Sequence, residues 1–208
     1  MTRYDKRVQA LAVGLAALAG YVDALAFVHL GGFFVSFMSG NSTRMGVGLA
    51  QTSRNAQIAG GLIGLFVAGV ISGSLVGRVT GRHRRAAVLA WVAFALVVGA
   101  TASALGFARV AIAVMAIAMG AENAVFEQDG ESRIGLTYMT GNLVKTGFRL
   151  TDALLGGPRF AWGPYMLLWV GLVAGAAAGA VLYPAYGLGA LWLAAGAAAM
   201  GAVAALKL

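Results

Sequence analysis

The sequence predicts an all-α polytopic membrane protein, with six transmembrane helices arranged as two inverted three-helix repeats. Three observations lead there. Of 208 residues, 60% are hydrophobic and only 11% charged, against about 25% charged in average soluble domains; the mean hydropathy is +0.83. Several windows reach the roughly 20 apolar residues that a helix needs to cross a bilayer. A polar signature also occurs twice in this apolar chain, FMSGNSTRMG at Phe37–Gly46 and YMTGNLVKTG at Tyr138–Gly147. A transmembrane β-barrel would need segments of about 10 residues in strict apolar/polar alternation. Val170–Leu182, VGLVAGAAAGAVL, has none.

The spans follow in order. The first runs from about Val8 to Leu30. The basic start MTRYDKR before it has the flavour of a signal peptide, but the apolar run has no small-residue cleavage site, so the segment is expected to be retained. Further spans lie at about Ile58–Val76, Ala86–Phe107, Val110–Phe126, Ala161–Leu182 and Leu188–Leu206. Between them, Gly31–Gln57 and Glu127–Phe160 carry the two motifs. Both are too apolar for plain loops, yet Ser, Thr, Asn, Gly and a basic residue interrupt them. Each is therefore expected to be broken or re-entrant.

Charge fixes the crossing count. Arg3, Lys6 and Arg7 open the chain, and RVTGRHRR at Arg78–Arg85 is its densest basic cluster. Cytoplasmic loops retain Lys and Arg, so an even number of crossings separates the two. With six crossings, twelve of the 15 basic residues lie inside, leaving Arg44, Arg54 and Arg109 outside. Both termini are then cytoplasmic. The net charge of +8 is read as this loop bias, with no nucleic-acid partner.

Self-similarity divides the chain into 1–107 and 108–208. GYVDA at Gly20–Ala24 aligns with GAENA at Gly120–Ala124, and the motifs share M-[S/T]-G-N-x-x-[R/K]-x-G. Gly69, Gly73 and Gly77 match Gly171, Gly175 and Gly179 at four-residue spacing. Three crossings per half make the copies antiparallel, and inverted repeats place substrate sites at the midplane between halves, often on broken helices.

The candidate site follows from the motifs. Ser39 or Asn41, and Thr140 or Asn142, are natural N-caps for half-helices running to about Ala50 and Leu150. Gly40 and Gly141 would permit a sharp turn, and Arg44 and Lys145 would sit one turn in. A helix starting at depth exposes free N–H groups and its positive dipole end; such a pair meeting near the middle is analogous to the aquaporin arrangement, without its Asn-Pro-Ala boxes. The alternative is that M-[S/T]-G-N only caps a helix. Asp23 and Glu122 are intramembrane carboxylates, which are expensive and face the interior. They serve proton or ion coupling, pair with Arg44 and Lys145, or fix helix position.

Other features read more plainly. The Gly rows make smooth faces for close packing, between the halves or across a homodimer. Trp162, Tyr165, Trp169, Tyr183 and Tyr186 are expected interfacial anchors. The turn EQDGES at Glu127–Ser132 is a solvated loop or, less favoured, a cation site. His29 falls at a span end and His83 in the basic cluster. With no Cys and two His at no ligand spacing, neither a metal site nor a cofactor is expected. Hydrolase, zinc-protease, P-loop and Rossmann signatures are missing, so catalysis is not expected.

At GYVDALAF, FMSGNSTRMGVGLA and YMTGNLVKTG the chain resembles the YoaK-like family of small bacterial membrane proteins, over nearly its whole length. The paired [S/T]-G-N segments and the Asp in the first span are the specific part, while Gly120–Arg133 is more polar than the family pattern. The resemblance implies a multi-span protein of the bacterial inner membrane and no agreed substrate. Two functional readings result. One is a small-solute transporter, secondary and proton-coupled, or a channel. The other is a non-transporting module that binds lipid or a protein partner.

Overall fold

The computed structural model describes residues 5–128 and 130–208; Arg3 of the basic start and Asp129 of the acidic turn lie outside them. Eight α-helices account for most of the chain: α1 (Lys6–Leu30), α2 (Met38–Ala50), α3 (Arg54–Thr80), α4 (Arg84–Ala104), α5 (Ala108–Glu122), α6 (Met139–Leu154), α7 (Gly163–Tyr186) and α8 (Leu191–Ala205). A two-residue hairpin pairs β1 (Glu127–Gln128) with β2 (Glu131–Ser132) in antiparallel register. Among the described residues four stretches are long and apolar enough to cross a membrane: 6–30, 54–104, 108–126 and 163–205. Short 3-10 turns at Gly81–His83 and Gly187–Ala190 divide two of these, which gives six helices. Their outward faces carry bare aliphatics such as Val181 (75% exposed) and Met200 (70%), as lipid contact requires.

The expected spans agree with these helices to within a few residues, and local chemistry explains the offsets. Asp5 caps α1 by accepting from the Arg7 amide at 3.0 Å, so the helix starts earlier than its apolar run. α3 continues past Val76 because Thr80 satisfies itself within the helix, donating to the Val76 carbonyl at 2.7 Å. α7 begins with Pro164 in its first turn, where a missing N–H is harmless.

Packing rests on glycine. Gly175 sits on the Ala17 carbonyl and Gly179 on that of Tyr21, while Gly20 faces Leu172 and Ala176, so α1 and α7 run parallel in backbone contact. The same contact recurs with the halves exchanged: Gly69 meets Ile117, Gly73 meets Ala121, and Gly120 meets Phe66 and Val70. At each of these six glycines a Cβ would run into a neighbouring backbone. α4 and α8 complete the set antiparallel, Gly99 near Leu191 and Gly201 near Leu89. Two corrections follow. In space Gly69 and Gly73 correspond to Gly175 and Gly179, one turn beyond the match by spacing, and Gly77 instead makes room for the Arg84 side chain. These glycine faces are also occupied inside one chain, so they are not open surfaces for a second copy.

Candidate functional site

The first motif is held by a returning loop. α1 ends on Gly31, whose φ of 66° lets its N–H close on the Phe27 carbonyl; Gly32 follows at φ 112°. The chain then reverses and runs back beside α1. The Val35 and Ser36 amides donate to Asp23 Oδ1 at 2.7 and 2.8 Å, and the Ser36 hydroxyl donates to Oδ2 at 2.8 Å. Asp23 lies seven residues before Leu30, so the loop descends about 10 Å at 1.5 Å per residue. From there α2 turns away.

Asn41 clamps this loop. Its Oδ1 accepts from the Phe34 amide at 3.1 Å and its Nδ2 donates to the Phe34 carbonyl at 2.6 Å. Both backbone groups of Phe34 are thereby satisfied by one side chain, as buried irregular backbone demands. Gly40 leaves room for the Phe37 ring, which packs edge-on to Phe34 at 5.2 Å. Arg44 lies 5.0 Å over the Phe33 ring, pinning the loop from the other side.

The second copy repeats the device with different atoms. Asn123 stands where Asp23 does, and accepts from the Thr137 hydroxyl at 3.1 Å. Asn142 donates to the Gly135 carbonyl at 3.1 Å. Lys145 reaches α7, 5.8 Å over the Tyr165 ring.

Several expectations change as a result. α2 and α6 start at Met38 and Met139, with no side-chain cap on either; Asn41 and Asn142 reach back to the loop instead of capping. The sharp turn of the first copy is at Gly31 and Gly32, while Gly40 and Gly141 lie inside helices. α6 runs on to Leu154. Asp23 is bonded to the loop, and neither acid is ion-paired with Arg44 or Lys145: the ion pairs among the described residues are Arg84–Glu127, Arg133–Glu131 and Arg149–Asp152. Glu127 is thus engaged by Arg84, and no metal-ligating cluster occurs among the described residues.

Glu122 stands out among the buried polar residues of the spans. It is fully buried, neither carboxylate oxygen has a hydrogen-bond partner among the described residues, and it lies within electrostatic reach of Asp23. An unpaired buried charge is costly by several kcal/mol.

Close to Asp23 a cavity of about 720 Å³ opens beside the α1–α7 contact. Asp23, Ser36, Thr137 and Thr140 supply its polar atoms, and Phe27, Phe37, Leu143, Trp169 and Val173 much of its apolar wall. Both motif segments reach it: Ser36 and Phe37 from the first, Thr137, Met139, Thr140 and Leu143 from the second. Of the motif residues singled out by sequence, Thr140 lines it. Ser39, Gly40, Asn41, Arg44, Gly141, Asn142 and Lys145 do not. Ser36 and Thr137 were missed, although the signal was present: the repeat extends two residues upstream, S-F-M-S-G-N against T-Y-M-T-G-N.

Residues 11–204 match the family model described as "Protein of unknown function (DUF1275)". The chain belongs to this family. It is also similar to the UPF0700 transmembrane protein RA0705 of Rhizobium meliloti (strain 1021), 36% identical over 189 residues, covering 88% of this chain and 80% of that protein. No solved structure matches. The protein is therefore a helical membrane protein of a family without an assigned function, in line with the resemblance drawn from its motifs.

Proposed function

We propose that this protein is a small-solute carrier of the bacterial inner membrane, built from two inverted three-span repeats, 1–107 and 108–208, with both termini cytoplasmic. The observation that carries the reading is the cavity of about 720 Å³ reached by both polar segments and floored by Asp23, Ser36, Thr137 and Thr140. Its size is within the range of small-molecule sites. The helix contacts that recur with the halves exchanged support a two-fold relation, and the loop that descends to Asp23 supports a re-entrant segment in the first copy. Carriers of this design bind at the repeat interface.

The lining defines the solute. Arg44 and Lys145 are turned to aromatic rings and do not enter the cavity, so no cation awaits an anion. An acid, three hydroxyls and apolar walls suit a neutral or cationic amphipathic molecule. Glu122 is the proton-coupling group, and Asp23 holds the loop at the cavity. In proteoliposomes with an imposed pH gradient, a panel of labelled lipophilic amines and neutral solutes should include one that accumulates. Thr140→Trp, which fills the cavity, should abolish that uptake. Equal uptake by this variant, or none across the panel, removes the carrier reading.

One observation favours the second reading. Both motif Asn side chains are spent on loop clamps, and the cavity wall is partly open toward the bilayer at Val28 and Val173, 45% and 43% exposed. A resident lipid chain would fit this wall. Lipid retained in purified protein and displaced by Thr140→Trp, without transport, is the result that would select the lipid-binding module.

A further inference from the structure

The densest basic cluster of the sequence builds a second pocket, which shares no lining residue with the cavity. About 390 Å³ in volume, it is framed by the α3–α4 turn, the β1–β2 hairpin and the end of α8. Arg82, Arg84 and Arg85 enter from the turn and Arg133 from beyond β2, with Glu127 the carboxylate among them. Three of these arginines are held in place. Arg84 donates to the Ala124 carbonyl at 3.3 Å and pairs with Glu127. Arg85 lies 5.7 Å over the Phe126 ring, and Arg133 is 3.6 Å from Glu131. Glu127 is itself bound by the Ser74 hydroxyl at 3.2 Å and the Gly130 amide at 3.1 Å. The Arg78 charge also bears on Arg84. Four guanidinium groups against the carboxylates of Glu127 and Glu131 leave an excess of positive charge facing a concavity.

The pocket has an apolar wall made by Val125, Phe126, Ala205 and Leu208. At Leu208 it meets a groove of about 660 Å³ between α1 and α8, lined by Leu11, Met200 and Val203 and closed by Arg7 and Lys207. A phosphate site that continues into a greasy track flanked by two more basic residues has the polarity of a phospholipid, head to tail. The geometry points to a specific site for an anionic phospholipid, its phosphate among Arg82, Arg84, Arg85 and Arg133 and an acyl chain along the α1–α8 groove. Basic pockets between membrane helices are suited to such headgroups, and planar guanidinium forks suit phosphate oxygens. The site is separate from the cavity, and its test involves neither the cavity nor transport, so it stands or falls independently of the carrier reading.

The test is native mass spectrometry of the full chain in detergent, titrated with phosphatidylglycerol or phosphatidylcholine, with inorganic phosphate as a third arm. Wild type should retain phosphatidylglycerol in preference to phosphatidylcholine. Each Arg near an anionic headgroup is worth about fivefold in affinity, so Arg82→Gln with Arg85→Gln should weaken retention about thirtyfold. Should the double variant fail to fold, Arg82→Gln alone, at an exposed side chain, should give about the single fivefold loss. Equal retention of both lipids, or undiminished retention by the variants, overturns the site. Displacement of the lipid by millimolar-range inorganic phosphate overturns the lipid assignment and leaves a site for a free anion.

Discussion

Replacing Asp23 by Ala tests whether one carboxylate holds the returning loop. It accepts three hydrogen bonds of 2.7–2.8 Å, from a segment in which Val35 and Ser36 are 0% and 4% exposed. With Ala at this position the Ser36 hydroxyl can rotate toward another acceptor, but the two amides cannot. An unsatisfied buried donor costs about 1–3 kcal/mol, so Asp23→Ala should destabilise the protein by about 2–6 kcal/mol. Asp23→Asn keeps an oxygen for both amides, while the Ser36 hydroxyl turns to accept from the new amide. Only the reinforcement by charge is lost, about 1–2 kcal/mol. The second copy also places an amide here, but with the roles reversed: Asn123 accepts from the Thr137 hydroxyl and donates to the Met119 carbonyl. Unfolding in mixed micelles followed by tryptophan fluorescence gives the stabilities, and hydrogen exchange at Val35 and Ser36 gives the local opening. Equal stability of the Ala and Asn variants, or unchanged exchange at Val35 in the Ala variant, would refute the anchoring role.

Other outcomes follow from the same contacts. Gly175→Leu should destabilise by about 1–3 kcal/mol through overpacking against the Ala17 backbone, whereas Gly196→Ala, where a Cβ meets open space, should be neutral by the same unfolding assay. Glu122→Gln should leave stability within about 1 kcal/mol, because no hydrogen bond to the carboxylate is lost, and should abolish uptake driven by a pH gradient; a much larger loss would reveal a partner for Glu122. The chain has no Cys, so single cysteines at Ser42 and Leu143 can be labelled from each side of the membrane. Inverted repeats require opposite accessibility, and same-side labelling would remove them.

The span boundaries were legible because a bilayer imposes one demand on every residue of a span, and composition records it directly. The motifs were legible as a repeat but misread as N-caps. A local rule, Asn as N-cap, favours the adjacent helix; the structure uses Asn41 and Asn142 across seven residues to satisfy a loop, and no periodicity encodes that. The cavity was invisible for a similar reason. Its walls are ordinary Phe, Leu, Val and Trp, which read as lipid contacts until α1, α6 and α7 bring them together. The glycine rows were legible as packing faces but not in register, since a four-residue row matches itself after one turn and only the partner helix fixes the phase.

The two copies agree in scaffold and differ in charge, and the difference has a mechanical sense. In one, Asp23 takes three donors from the loop and is held as a fixed acceptor. In the other, the corresponding residue is the amide Asn123, and the acid has moved one position back to Glu122, out of the loop's reach. A carboxylate with three short donors is held in one position by them. A buried carboxylate with none is held only by the packing around it. Placed within electrostatic reach of one another, the two acids do not share a task. One fixes the geometry of the loop, and the other, without a hydrogen-bond partner among the described residues, is left for the coupling role proposed above, an inequivalence that strict symmetry would forbid.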